Sequence, residues 1–456
     1  MVQASTQAVS HYLDEIGWGK YHWSIFWQCM LSNFNVQLRN LSIAYFAAIY
    51  AIEHGASNTQ RGLMGTLFQL GCFIGSYFWG YLSDHQGRAK SIKKISIIFI
   101  FVYLVWIFAD NLFVILILCF ASGFGGTGEM VINPVLFKEF CPTKNFNFVT
   151  KLTSGFSIGG IFLALCAISI EIIGSNYLSD WSFMAAMVLF SHILMSIIRI
   201  GLDETPAFLA SKARYAQAEE LLAKIAKTNN KSPLSITIYS AESASEQQIE
   251  KAPIRIKAIF SKRYVKSTIF LSVIYFMTFF GSFSLNLFMP RFLGQFSLAV
   301  RYIIILIQQV SGIPGAFLAS YLINTKLGRK YTLMLSMSIT SLAIYFFIFI
   351  EHIVLVILVI MMFALVNLAS FGSLFTLSPE IYPAEIRNSA MGFFFTWSRI
   401  GSSTSPFIGG MILDLENGKE IALALFASGY LIASLCAIFI EETRPPLKNA
   451  LLIDEV

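Results

Sequence analysis

YLSDHQGRAK, residues 81–90, returns in part as YLINTKLGRK, residues 321–330. Gly87 and Arg88 of the first copy recur 241 positions later as Gly328 and Arg329. The same offset carries Glu139 and Pro142 of KEFCPTK onto Glu380 and Pro383 of PEIYPAEIR. ETPAFL (204–209) is echoed by ETRPPL (442–447). Separate features sharing one offset predict a chain built twice over, each half a copy of the other. The first copy is the fuller one, because Thr325 stands where Asp84 would be repeated.

Between these repeated turns the chain is apolar. Of its 456 residues 56% are hydrophobic, 15% aromatic and only 13% charged, against about 25% charged for a soluble domain. Runs such as IALALFASGYLIASLCAIFI (421–440) and YTLMLSMSITSLAIYFFIFI (331–350) reach the roughly 20 helical residues that cross a bilayer core. Charges, polarity changes and Gly/Pro/Asn clusters bound twelve such spans, near 22–50, 60–82, 93–110, 112–138, 149–173, 182–200, 264–290, 300–323, 331–350, 353–378, 388–413 and 420–440. The expected fold is therefore all-α and membrane-embedded, with twelve transmembrane helices in two pseudo-symmetric six-helix bundles.

With both termini placed in the cytoplasm, the inner connections collect Arg88, Lys90, Lys93 and Lys94, then Lys138, Lys144 and Lys151, then eleven basic residues from Lys212 to Lys266, and later Lys326, Arg329, Lys330 and Arg387. The other face holds only Arg61, Arg291, Arg301 and Lys419. This asymmetry is the signature of basic loops retained inside. The formal charge of +6 is thus a topology signal, not a nucleic-acid footprint. The expected segments are a cytoplasmic 1–21, a bundle over 22–200, a linker over 201–262, a second bundle over 263–442 and a tail over 443–456. The first twenty residues lack the basic start and apolar block of a signal peptide. Within the linker, 207–230 has helical periodicity with Leu209, Ala213, Ala216, Leu221 and Ile225 on one side, and the Ser/Glu/Gln-rich 232–253 is expected to be loosely ordered. Six cysteines without paired spacing read as small buried fillers.

GFGGTGE (123–129) fits the letters of a dinucleotide fingerprint, but it lies inside an apolar span with no strand before it, no helix start after it and no acid some twenty residues on. Its small residues Gly123, Gly126 and Thr127 serve close helix packing instead. Glu129 remains, a carboxylate that costs at least ~2.5 to 3.5 kcal/mol in a hydrocarbon span and so calls for a partner. Asn133 shares its face four residues on. In the first span Ser32, Asn35, Arg39 and Ser42 form a polar stripe at helical spacing, with the cation Arg39 at its centre. Two opposite charges thus stand in separate apolar spans. His22, His192 and His352 lie near span ends, where interfacial anchoring is expected.

The sequence resembles the major facilitator superfamily over nearly its whole length. GYLSDHQGRAK (80–90) is similar to that family's loop between helices two and three. PEIYPAEIRNSAMGF (379–393), ETPAFL and GKYHW (19–23) resemble the branch of sugar porters, synaptic-vesicle-related transporters and bacterial niacin-type metabolite:proton symporters, and GFGGTGEMVINPVLFKEFCP resembles the niacin-type members most. Where those members carry acids in helix one, SNFNVQLRN (32–40) offers Asn35 and Arg39. The resemblance implies a secondary active transporter in a cell membrane, both termini inside and of the bacterial inner-membrane type. With Arg39 to anchor an anion and Glu129 to take up a proton, the expected cargo is a small organic acid or related metabolite, with the proton as coupling ion, no cofactor, the lipid bilayer as surroundings and a monomer as working unit. Facilitated or outward transport of sugars or amphipathic drugs stays open, as does a receptor-like protein without transport. No nucleotide loop, metal cluster or paired nucleophile and base points to an enzyme. The implied substrate cavity draws on Asn35, Arg39 and Asn133 from the first half and on Asn286, Gln308, Asn367 and Trp397 from the second, with Glu129 as the proton carrier. In the family's fold helices one and four both line the first-half cavity, which makes Glu129 and Arg39 the natural pair, and the alternative for them is a permanent structural ion pair. Gating falls to Asp84, Gly87, Arg88, Lys90 and Glu139, and in the second half to Gly328, Arg329, Glu380 and Arg387, since a carboxylate at a helix end beside a cationic turn can act as a latch.

Overall fold

A computed structural model describes residues 2–145, 152, 154–173, 180–231 and 256–443. The expected loose segment 232–253 and most of the tail lie outside these residues. Helix follows wherever the apolar runs predict it. The first half contains α1 (Val2–Ile16), α2 (Lys20–His54), α3 (Asn58–Gln86), α4 (Arg88–Ile107), α5 (Leu112–Phe140), α6 (Ser154–Ile173) and α7 (Asp180–Ile198). The linker contributes α8 (Pro206–Ser211), α9 (Tyr215–Thr228) and the single turn α10 (Ile256–Ile259). The second half contains α11 (Val265–Phe292), α12 (Leu298–Leu322), α13 (Gly328–Phe349), α14 (Ile353–Glu380), α15 (Ala384–Leu413) and α16 (Gly418–Ala437). Helices α2–α7 and α11–α16 are the twelve spans, each within a few residues of its expected bounds. Seven of them pass a strict test of length and apolarity among the described residues. Of the remaining five, α6 is apolar but shorter over the described residues.

The chain divides into two compact units, Met1–Phe46 with Leu67–Ile249, and Ala47–Thr66 with Glu250–Val456. In the first unit α5 packs on α3 so closely that a Cβ at Gly123 would stand 1.9 Å from the Phe68 carbonyl oxygen, and one at Gly71 would stand 2.1 Å from that of Phe120. Only glycine allows this approach, which answers why the glycine-rich run belongs to packing. The second unit includes the hairpin 47–66 from α2 and α3, a finer division than a cut at the linker. Asp414, just beyond α15, holds that hairpin: it accepts from the Asn58 backbone N–H at 2.9 Å, the Thr59 backbone N–H at 2.9 Å and the Thr59 hydroxyl at 2.6 Å. Burial alone would raise the pKa of Asp414, yet these donors from Thr59 and Asn58 hold it below the ordinary aspartate value.

The linker helix departs from the expected single face. Ala213 takes a left-handed φ of 56°, so the run breaks into α8 and α9. Leu209, Leu221 and Ile225 are buried as expected, while Ala213 and Ala216 are exposed and Ala218, Leu222 and Ala226 complete the packed face. Asn229 then ties the end of α9 to the start of α2, accepting from the Tyr21 backbone N–H at 3.0 Å. Five of the six cysteines are buried and all are free thiols. Cys141, beyond the end of α5, has its thiol pushed up to about 12 by burial.

Candidate functional site

The polar stripe of α2 folds inward as its spacing requires. Ser32, Asn35, Arg39 and Ser42 are all fully buried in the first unit. Gly126 on α5 leaves the space the arginine occupies: a Cβ there would meet Arg39 Nε at 3.0 Å. The guanidinium lies 4.1 Å from the ring centre of Phe99 on α4, where a cation gains from the aromatic face. Its Nη2 donates to Glu129 Oε2 at 2.6 Å, joining α2 to α5 in a salt bridge sealed from solvent.

Glu129 does not serve Arg39 alone. Its second oxygen, Oε1, is held by Arg199, one residue past α7. Arg199 also donates to Ser96 Oγ on α4 at 2.5 Å and to Ser32 Oγ on α2 at 2.9 Å. One carboxylate is therefore shared by two buried arginines, each on its own oxygen. His192 completes the cluster from α7. Its Nδ1 lies 2.7 Å from the Val188 carbonyl oxygen and its Nε2 lies 2.8 Å from Arg39 Nη1. A carbonyl can only accept and a guanidinium can only donate, so the ring is the neutral tautomer protonated on Nδ1. Two guanidiniums, one carboxylate and a neutral imidazole leave one positive charge in excess. Arg39 Nε, buried, has no acceptor.

Arg199 and His192 are what the sequence reading missed. Arg199 sits in SIIRIG (196–201) at the end of an apolar span, where an arginine reads as an interfacial anchor. The expectation that His192 anchors at an interface is overturned, since it is 2% exposed and bonded to the buried arginine. The i, i+7 spacing of His192 and Arg199 on one helical face is the signal that could have found both.

The other expected cavity residues divide by unit. Asn35 accepts from Ser191 at 2.5 Å. Asn133 is committed to helix pairing: its amide donates to the Cys29 carbonyl and to Asn33 Oδ1, both at 2.9 Å. In the second unit Asn286 accepts from Gln308 at 3.1 Å, bringing two of the expected residues together. Asn367 accepts from the Tyr430 hydroxyl at 2.7 Å. Trp397 is 37% exposed and meets Phe276 and Phe393 edge-on.

The repeated turns are built alike. Gly87 and Gly328 have φ of 105° and 73°, a conformation side chains disfavour. After each turn a helix begins, and its free N–H groups are capped by a glutamate from the end of the same half. Glu204 accepts from the amides of Arg88 at 2.8 Å, Ala89 at 3.1 Å and Lys90 at 3.4 Å. Glu442 accepts from those of Arg329 and Lys330, both at 3.0 Å. Arg88 reaches Asp84 at 3.1 Å and Glu139 at 3.2 Å, and Arg329 reaches Glu380 at 2.5 Å. Thr205 donates to Glu139 at 2.5 Å, and Thr443 to Glu380. The echoed Glu-Thr dipeptides are thus working parts of both turns, a role for Glu204 and Glu442 that sequence reading left unassigned. Thr325 bonds back to Leu322, so Arg329 has one carboxylate where Arg88 has two. Arg387 donates to the Tyr382 carbonyl at 3.3 Å instead of joining Glu380.

Comparison with known proteins agrees with this architecture. The model of the family described as Sugar (and other) transporter matches residues 10–444. The chain is 23% identical to the niacin transporter of Acinetobacter baylyi, over 95% of this chain and 97% of that protein. It is 24% identical to the synaptic vesicle 2-related protein of Rattus norvegicus, over 96% of this chain and 82% of that one. Its fold matches that of the xylose transporter of E. coli in a partially occluded inward-open conformation, with a TM-score of 0.72 at 18% identity, covering 93% and 99% of the two chains. The chain belongs to the sugar (and other) transporter family of the major facilitator superfamily. It is a multi-pass membrane transporter and not an enzyme.

Proposed function

We propose that this member of the sugar (and other) transporter family moves a small organic acid by alternating access, with proton symport, and that the cluster of Arg39, Glu129, His192 and Arg199 couples the two. The observation that supports this most is the count of charge: two buried arginines share one carboxylate. A buried charge without a counter-ion is costly, so the first unit carries a standing preference for one further anion. A substrate carboxylate supplies it.

Protonation of Glu129 would deepen that preference. Neutralising the carboxylate leaves two positive charges and frees an arm of Arg39 for the substrate. Release of the substrate then favours return of the Glu129 charge, and the proton departs with the cargo. Arg39 Nε, which lacks an acceptor, supplies a donor for such a ligand without breaking an existing bond. The relative named a niacin transporter makes nicotinate, a planar carboxylate, the first compound to try. Two bundles, a monomeric unit, inward-facing termini and a bacterial inner membrane belong to the same reading.

The test uses proteoliposomes with labelled nicotinate, benzoate and xylose as probes. Glu129→Gln is expected to abolish accumulation driven by an imposed proton gradient while leaving exchange of internal for external carboxylate. Unchanged driven accumulation would sink the proton role. Stabilisation of the purified protein by amines or by xylose alone, with no response to carboxylates, would sink the assignment of charge.

A further inference from the structure

The end of the second unit remote from the linker carries few cations. α11 leaves the linker at Val265 and reaches Arg291 after 26 residues, about 39 Å of helix at 1.5 Å per residue. At that end the sequence provides only Arg61, Arg291, Arg301 and Lys419. Three of these four line one cavity of about 260 Å³. Its remaining wall includes Ala48, Ala51, Ile52, Pro290 and Leu298, and every lining residue belongs to the second unit. No carboxylate lines it.

None of the three arginines forms an ion pair among the described residues, and the charge of Asp414 acts on Arg61 only at longer range. Arg61 is 6% exposed. One of its nitrogens, Nη1, donates to Asn58 Oδ1 at 3.2 Å, while its Nε is buried with no acceptor. Arg301 is fixed by neutral carbonyls, donating from Nε to Phe296 and from Nη2 to Gly294, both at 2.7 Å. The side chain of Arg291 makes no hydrogen bond or ion pair among the described residues and stands at the surface of the same cavity. The nearby acid, Asp414, has both oxygens occupied by Asn58 and Thr59.

Three guanidiniums gathered on an otherwise apolar wall repel one another, and the arrangement becomes favourable when an anion sits among them. The volume falls below the roughly 300–1,000 Å³ of drug-sized pockets, which selects a compact group. We propose that Arg61, Arg291 and Arg301 form a binding site for a single oxyanion, a carboxylate or a phosphate, at the end of the second unit opposite the linker. With the termini inside, this site faces the outside. It shares no residue with the cluster around Glu129, and neither proposal depends on the other.

The test is the thermal stability of the detergent-purified protein in inorganic phosphate or acetate against chloride at matched ionic strength. Phosphate and acetate are expected to stabilise the wild type beyond chloride. Arg291→Gln, which breaks no bond in the fold, should weaken the apparent phosphate affinity about tenfold, the loss of one charged contact. Lys227→Gln, which removes an exposed charge on α9, should leave the affinity unchanged. Nanodiscs separate the two sources of the anion. If a lipid headgroup fills the site, native mass spectrometry will show phosphatidylglycerol retained by the wild type and lost from Arg291→Gln, and phosphate will add stability only in phosphatidylcholine discs. If a soluble anion fills it, phosphate will stabilise equally in both. The proposal is overturned if phosphate and acetate do no more than chloride while lipid retention is the same in wild type and variant. It is also overturned if Arg291→Gln, Arg61→Lys and Lys227→Gln all bind phosphate alike.

Discussion

Glu129 shows how much one side chain can govern. Removing one partner of a buried ionic group leaves the other charged, dry and unpaired, at a cost of roughly 3–5 kcal/mol. The cost here depends on which partner goes. Arg199→Met leaves the one-to-one pair of Arg39 with Glu129, with no excess charge. Glu129→Met leaves two buried arginines and no counter-ion. Thermal unfolding of the purified proteins should therefore rank Glu129→Met as the more damaging, with Arg199→Met closer to wild type. Equal losses would mean that the excess charge is already compensated by something else. The pairing of Arg39 with Glu129 was legible from two opposite charges placed in apolar spans together with the family resemblance, which brings helices one and four to one cavity. Arg199 was not, because one residue from the end of an expected span an arginine can equally well reach the interface.

Helix ends carry the repeated design. A carboxylate at a helix start gains from the free N–H groups and from the helix dipole, ~0.3–1 kcal/mol when exposed and up to ~2 kcal/mol when partly buried. Glu204 serves three amides behind a glycine with φ of 105°, whereas Glu442 serves two behind Gly328. Glu204→Ala should thus lower the thermal midpoint more than Glu442→Ala, and circular dichroism melts of the two variants check the order. Gly87→Ala adds a clash, since a Cβ there would lie 2.1 Å from Glu204 Oε2, and it should be at least as damaging as loss of the cap. The turns themselves were readable, as glycine, arginine and a shared offset are local in sequence. The caps were not, because Glu204 comes from 116 residues beyond the Arg88 amide it meets. An echo of ETPAFL in ETRPPL marks that a feature is repeated without saying what it touches.

Over the whole molecule, charge and packing set different things. The basic residues gathered from Arg88 to Lys94, across the linker and from Lys326 to Lys330 predict which face stays inside. Single cysteines placed at Lys227 and at Lys419 in a variant without the native thiols test this. A membrane-impermeant maleimide applied to intact cells should label position 419 and spare 227, and the reverse pattern would invert the proposed orientation. The grouping of 47–66 with the second unit belongs to this scale too. Part of what holds it is Asp414 reaching Asn58 and Thr59, residues more than 350 positions away in the chain.

Sequence by itself determined the class of this protein: twelve apolar helices, an internal duplication, a linker between the halves and two opposed charges too costly to leave in lipid. Those features follow from periodicity, composition and repetition, which act over one or two helical turns or along the chain as a whole. Tertiary structure decided who shares whose charge. That Glu129 answers two arginines, that His192 is locked between a carbonyl and a guanidinium, and that Arg61, Arg291 and Arg301 converge on one cavity all depend on how helices rotate against one another. A helix rotates about 100° per residue, so a small change in packing moves a side chain from lipid to core, and no local pattern fixes that angle.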